Sequence, residues 1–222
     1  MLKVALLIPV YNADKTIGQL IQSINYSRKD IIIVDDGSTD STFKVVKDTG
    51  VVVLRHTSNL GKGQAHRTGF KYAVEQGYDY VITLDGDGQH LPQELHRFFD
   101  KIEKTRKDII IGERYRSLSN MPFLRYGTNL ITSFVVSFLS HKRIKDAQSG
   151  YRAISAKVMK GVPLTTSHFD TESEILIRAA RLGYSIGAVP ISTIYLSHES
   201  KIRPSIDTLR FIKLALKSIW RG

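Results

Sequence analysis

Short apolar runs, separated by polar and turn-forming stretches, set the rhythm of the first half of the chain. Residues 3–10 (KVALLIPV), 30–34 (DIIIV), 51–55 (VVVLR), 79–84 (DYVITL) and 108–112 (DIIIG) are rich in β-branched residues, the pattern of strands buried on both faces. Between them, residues 14–26, 40–49, 63–76 and 92–104 carry apolar positions at helical spacing, the last opening on Pro92 as a first-turn residue. Strand and helix alternate, which predicts an α/β fold with a mainly parallel sheet flanked by helices. After residue 112 the alternation breaks. A helix is expected over about 122–140, then the turn-rich run DAQSGYRAIS, a helix over about 171–182, the strand-like runs YSIGAVP and ISTIYL, and a basic tail. The apolar stretch Thr128–Ser140 is expected to pack into the core, with contact at a membrane surface as the alternative.

A chain of 222 residues, 42% hydrophobic and 24% charged, is long and apolar enough for one domain with its own core. We expect that domain to span 1–204, in halves of about 1–112 and 113–204, with 205–222 as an appended helix. The absence of cysteine excludes disulfides, thiolate nucleophiles and cysteine-bound zinc, and fits a cytoplasmic setting. The opening MLKVALLIPVYN reads as a strand, not a signal peptide, and the run Leu130–Leu139 is about half of what a membrane-crossing helix needs. The net charge of +11 is lopsided: residues 1–100 carry 11 Lys and Arg against 12 Asp and Glu (−1), and residues 101–222 carry 21 against 9 (+12). A basic second half points to an anionic partner, or else to a solvated basic surface.

In open parallel sheets ligands bind where the carboxyl ends of strands meet. Four polar clusters fall there: Pro9-Val10-Tyr11-Asn12, Asp35 to Asp40, Asn59 to Gly63, and Asp85-Gly86-Asp87-Gly88-Gln89-His90. The last is the most specific. Two carboxylates at i and i+2, with Gln89 two further on and glycines between, can turn hard oxygen donors toward Mg2+ or Mn2+ and leave room for phosphate oxygens. The alternative is a glycine-rich turn whose aspartates cap the next helix. An EF-hand is excluded, since its sixth position would be His90 and its twelfth His96. Asp35 or Asp36 must face the crevice or cap the helix near Asp40, and Asn59 to Gly63 could approach a phosphate without being a P-loop.

The motifs IPVYN, VDDGSTD, NLGKGQA, TLDGDGQH and DAQSGYRAIS occur in that order within about residues 4–204. They resemble the inverting, family 2 glycosyltransferases of the Rossmann-like GT-A fold, and among these the polyprenyl-phosphate sugar synthases such as dolichol-phosphate mannose and glucose synthases. The resemblance implies a single catalytic domain and metal-dependent, inverting transfer of a hexose from a UDP- or GDP-linked sugar to dolichyl or undecaprenyl phosphate. It implies that Pro9, Tyr11, Asn12, Asp36, Lys62 and Asp85 shape the nucleotide-sugar pocket, and that Asp85, Asp87 and Gln89 hold Mg2+ or Mn2+. It further implies Arg114, Arg125 and Arg152 near the acceptor phosphate, and Asp146 as catalytic base or positioning group. The guanidinium fork suits a phosphate oxyanion. Two departures stand out: Ala13 where an acid is common, and Gly86 where alanine is usual.

The tail from Asp207 to Arg221 sets Leu209, Ile212, Leu216 and Ile219 on one helical face and Arg210, Lys213, Lys217 and Arg221 on another. That is a basic amphipathic helix, expected either to lie on a membrane surface at its cytoplasmic face or to dock on its own domain. Two rival readings remain: a transferase acting on a glycan hydroxyl, and a non-catalytic basic module. Nucleic acid is not an expected partner, because no helix-pair, zinc-finger or aromatic stacking signature is present.

Overall fold

A computed structural model describes residues 2–114, 123–168, 170–192, 210–216 and 218, with backbone alone for 123–125. The strands are β1 (Val4–Val10), β2 (Ile31–Asp35), β3 (Val52–Arg55), β4 (Tyr80–Thr83), β5 (Ile109–Arg114), β6 (Arg152–Ser155) and β7 (Ile186–Ile191). They form one sheet in the order β3-β2-β1-β4-β6-β5-β7. All neighbours run parallel except β6, which is antiparallel to both β4 and β5. The helices are α1 (Ile17–Ser23), α2 (Thr42–Val46), α3 (Lys62–Glu75), α4 (Leu95–Thr105), α5 (Phe123–Ser140), α6 (Ala156–Gly161) and α7 (Thr171–Arg181); residues 210–216 form a last helix, α8.

The alternation of side chains along each strand divides the core in two. On one sheet face Val4, Leu6, Ile8 and Val10 pack with Ile17 and Ile21 of α1 and Phe98 and Ile102 of α4. On the other, Ala5, Leu7, Ile32 and Val34 meet Ala65, Phe70 and Ala73 of α3 and Ile175, Leu176 and Ala179 of α7. The approach of α3 to β1 depends on Gly69, where an added Cβ would lie 2.3 Å from Leu7 Cδ1.

The five strands expected in the first half are present, and α1 and α2 are shorter than their periodicity implies. The run DAQSGYRAIS differs: its last four residues form β6, inserted between β4 and β5. A buried arginine opens that strand, so its hydropathy does not read as a strand although its backbone completes the sheet. The run ISTIYL contributes Ile191 to the end of β7 and otherwise lies, from residue 193, outside the described residues, as do residues 205–209, 217 and 219–222 of the tail, with Leu209, Lys217, Ile219 and Arg221.

The reversal of strand order falls between β1 and β4. Leu84 N–H donates to Leu7 O at 3.0 Å, and the paired register of the two strands ends at Leu7 and Thr83. Pro9, the next residue with that orientation, has no N–H with which to continue the ladder. Beyond it the strands part, which opens a crevice at the switch point.

Candidate active site

The loops that follow β1, β2, β3 and β4 are stapled together by their own polar residues. Asn12 adopts the left-handed region at φ 47°, a conformation asparagine tolerates. Its N–H donates to Ser38 Oγ at 2.9 Å, and its Oδ1 accepts from Thr39 N–H at 2.9 Å. Pro9 is buried in β1 and Tyr11 half-buried beside it. Asp35, fully buried, accepts from Ser38 N–H and pairs with Arg55 at 3.1 Å. Asp36 spends both oxygens on the next loop: Oδ1 lies 2.6 Å from His56 Nδ1 and accepts from Leu60 N–H at 3.0 Å, while Oδ2 accepts from Gly61 N–H at 2.8 Å. Asp36 thus fixes the turn from which Lys62 emerges. Gly61, at φ 94° and with Ser167 O only 2.2 Å from the place of a Cβ, is the residue that allows that turn.

Lys62 reaches from the first turn of α3 to the carboxylate at the end of β4. Its ammonium is 2.6 Å from Asp85 Oδ1 and 2.5 Å from Glu172 Oε1. Burial alone would lower the lysine's pKa; the two carboxylates outweigh it and raise it. Asp85 is held well below the carboxylate range: burial opposes, and Lys62 and His90 overcome it. His90 Nε2 is 3.5 Å from Asp85 Oδ2, and its ring packs on Tyr151 at 5.1 Å. Asp87 shifts the other way, raised by desolvation and by the charge of Asp85, although Gln89 N–H donates to its Oδ1 at 3.0 Å. Asp85 and Asp87 are therefore a crowded anionic pair, and an ammonium already occupies a cation's place on Asp85. The carboxylates of Asp85 and Asp87 are hard oxygen donors, of the kind that Mg2+ or Mn2+ takes. Among the described residues no group of three or more His, Asp or Glu gathers as a metal cage.

The wall opposite is the 146–152 turn. Gly150 presses its backbone on Asp85, with Oδ2 and Oδ1 at 2.5 and 2.6 Å from the place of a Cβ. Thr83 Oγ1 donates to Gly150 O at 2.6 Å. Asp146, 1% exposed, takes a bidentate grip on Arg114 at the end of β5: Nε to Oδ2 and Nη2 to Oδ1, both 2.7 Å. Arg114 N–H at 3.2 Å and Asn129 Nδ2 at 3.0 Å also donate to it. Burial pushes the Asp146 carboxyl up, but hydrogen bonds and charge from Arg114, with help from Asn129, bring it below its ordinary value.

Arg152, expected beside an acceptor phosphate, has a different role in the structure. It is 2% exposed and donates to the carbonyls of Ser149 (2.7 Å), Glu172 (2.5 Å) and Ala147 (2.6 Å). This guanidinium braces the turn against α7 and is sealed from the crevice. The side chain of Arg125 lies outside the described residues. The structure therefore brings Lys62, Asp85 and Asp87 together, sets Arg114 on Asp146, and withdraws Arg152. Two further residues join the site: Gly150, within the DAQSGYRAIS run, and Glu172, which the sequence offered only as a possible border of the acceptor site. Glu172 is 110 positions from Lys62 and lies in the first turn of α7, where an acid also suits a helix N-terminus.

The sequence matches the family described as Glycosyl transferase family 2 over residues 5–162. A relative named UDP-N-acetylglucosamine--dolichyl-phosphate N-acetylglucosaminyltransferase, from Methanococcus voltae, is 35% identical over 87% of this chain and 86% of its own. An undecaprenyl-phosphate mannosyltransferase from Micrococcus luteus is 29% identical over 100% and 97%. Among solved structures, glucosyl-3-phosphoglycerate synthase from Mycobacterium tuberculosis, in complex with Mn2+, UDP and glucosyl-3-phosphoglycerate, superposes with a TM-score of 0.75 over 97% of this chain and 79% of that one. At 18% identity that likeness shows the fold alone.

Proposed function

This chain belongs to glycosyl transferase family 2 and is a glycosyltransferase; from that premise we propose that it transfers a hexose or N-acetylhexosamine from a nucleoside-diphosphate sugar to a polyprenyl phosphate, inverting the anomeric centre. The observation that carries the acceptor assignment is the state of Asp146. A sugar-hydroxyl acceptor needs a base with a pKa near the working pH. Asp146 instead has its pKa lowered, with its oxygens taken by Arg114 and Asn129. A phosphate monoester has a second pKa near ~6 and is largely ionised at neutral pH, so it attacks without such help. Asp146 then acts by positioning Arg114, whose guanidinium suits the acceptor's phosphate.

Pro9, Tyr11, Asn12 and Asp36 frame the nucleotide on this reading, Asp36 through the turn it fixes. Asp85, Asp87 and Gln89 would hold Mg2+ or Mn2+, with the donor's diphosphate completing the set. The ion would supply charge neutralisation to the departing diphosphate. Lys62, anchored by Glu172, adds a second positive charge beside the same oxygens. A UDP- or GDP-linked donor is compatible with this site, and the names of the relatives include both N-acetylglucosaminyl and mannosyl transfer. Among the described residues no helix is long and apolar enough to cross a membrane. We place the enzyme peripherally, at the cytoplasmic face where its lipid acceptor is presented.

An acceptor competition tests this assignment. A limiting nucleotide sugar is offered to a short-chain polyprenyl phosphate and a free oligosaccharide together. The account expects product on the phosphate; product on the oligosaccharide would instead favour the glycan-hydroxyl reading.

A further inference from the structure

One carboxylate holds both ends of the loop that joins β3 to α3. At the far end Leu60 and Gly61 donate their N–H groups to Asp36 at 3.0 and 2.8 Å. At the near end His56 Nδ1 lies 2.6 Å from Asp36 Oδ1, the same oxygen that Leu60 reaches. Residues 57–59, between the two ends, are exposed. The backbone of His56 is fixed too: its N–H donates to Asp35 O at 2.9 Å, which carries the β2–β3 ladder one residue past Arg55. On the other side of the ring, Nε2 lies 2.9 Å from Thr68 Oγ1 in the middle of α3. A single imidazole therefore ties the end of β3 to the end of β2 and to α3.

The chemistry of the three groups fixes where the hydrogens lie. A carboxylate only accepts, so Nδ1 carries the hydrogen directed at Asp36. A hydroxyl can donate or accept, so Thr68 completes the second ring nitrogen without competing for the first. The side chains of His56 and Asp36 are 10 and 4% exposed. Asp35 next door has Arg55 as its ion-pair partner, whereas among the described residues the imidazole is the one side-chain donor to Asp36. A buried carboxylate short of donors is costly, which gives that one N–H its weight.

We propose that His56 is a positioning residue for the donor's diphosphate, acting through Asp36 and with Thr68 orienting its ring. By holding Asp36 it seats the turn at Leu60 and Gly61, where Gly61 at φ 94° leads into α3. That turn sets Lys62, the first residue of α3, 2.6 Å from Asp85 Oδ1. The ring itself needs no contact with the nucleotide. The alternative, an imidazole that only fills space between β3 and α3, makes no use of Nδ1. The proposal rests on the nucleotide-sugar reading of the site and is independent of which acceptor the enzyme takes.

The test is isothermal titration of the full chain with UDP and with GDP, each with Mg2+, across a series at position 56. His56→Asn puts an amide nitrogen where Nδ1 was, able to donate to Asp36. His56→Gln puts it nearer the place of Nε2 and leaves Asp36 unserved, and His56→Leu has no donor. All three remove the ring, so a space-filling role gives equal losses. The expected result is nucleotide binding about tenfold weaker in His56→Leu and His56→Gln, and within about threefold of wild type in His56→Asn. Circular dichroism checks the fold; if His56→Leu does not fold, the contrast between His56→Gln and His56→Asn decides alone. Without any ligand, the proton NMR spectrum of the wild type should show a far-downfield ring N–H that is absent from every position-56 variant and broadened in Thr68→Val. Unchanged binding in His56→Gln, or equal losses in His56→Gln and His56→Asn, overturns the proposal, as does a wild-type spectrum without that resonance. The two readings fail separately. A wild type that binds a nucleotide while the series stays flat sinks this proposal alone; a wild type that binds neither nucleotide sinks the donor reading, and this proposal with it.

Discussion

Replacing Asp146 with asparagine separates the positioning role from that of a base. In the wild type the carboxylate receives two 2.7 Å bonds from Arg114, with further donors at 3.0 and 3.2 Å. The amide keeps one acceptor oxygen and turns an N–H2 group toward a guanidinium that can only donate. Breaking a buried ion pair by removing one partner costs about 3–5 kcal/mol. The retained oxygen recovers part of that, so we expect a loss of about 2–4 kcal/mol at neutral pH, in keeping with the ~1.5–3 kcal/mol of a hydrogen bond to a charged group. The sign with pH follows from the lowered folded pKa. The stabilisation is complete above the unfolded value of about 4 and disappears as pH falls through the folded value below it. Urea unfolding of both proteins at neutral pH and in acid should therefore show a gap that is full at neutrality and closes in acid. In turnover, the variant should raise the acceptor KM and lower kcat, while the acid limb of the pH profile stays where the acceptor phosphate puts it. A stability loss under ~0.5 kcal/mol, or an acid limb abolished by the substitution in a folded variant, would refute the argument and return Asp146 to the role of base.

Gly150→Ala should force the new methyl group into the Asp85 carboxylate, 2.5 Å away, and cost about 1–3 kcal/mol as overpacking does; isothermal titration should show weakened binding of donor and metal. Lys62→Met removes the ammonium from Asp85 and Glu172, so the melting temperature without metal should fall and Mn2+ should restore more of it than in the wild type; an equal response to Mn2+ in both proteins would contradict the stand-in role of the lysine. Glu174→Gln disturbs a fully buried carboxylate that accepts from Thr165 and Thr166 and pairs with Arg178 at 2.9 Å. Burial raises the Glu174 pKa, and those hydrogen bonds lower it further than burial raises it. Its contribution is thus present above about pH 4.3 and lost in acid, and thermal melts should show the variant less stable by about 2–4 kcal/mol at neutral pH with a shallower acid decline.

The first half of this fold was legible because its strands are buried on both sides and so read as unbroken apolar runs. Pro9, the glycines and the Asp85 to His90 segment fall at strand ends, which is where a parallel sheet puts its ligands, and that placement located the crevice. The second half was less legible because charge is used inside the protein. Arg152 opens a buried strand and donates to carbonyls of the 147–149 turn and α7, partners that the resemblance setting it near the acceptor phosphate does not show. The pairing of Lys62 with Glu172 spans 110 positions and has no local pattern that could announce it. On α5 the period of the apolar residues was visible, but period does not say which side faces inward. The bonds from Asn129, Thr132 and Ser133 to the 146–148 turn decide that, and they exist only once the chain is folded.

The most direct test of the central claim is product analysis after incubating the purified chain with Mn2+ or Mg2+, a panel of radiolabelled uridine and guanosine diphosphate sugars, and a short polyprenyl phosphate. The account predicts label in the organic phase that depends on the metal, as a phosphodiester whose anomeric configuration is opposite to that of the donor. Donor hydrolysed with no labelled lipid, or a lipid product of retained configuration, would contradict it.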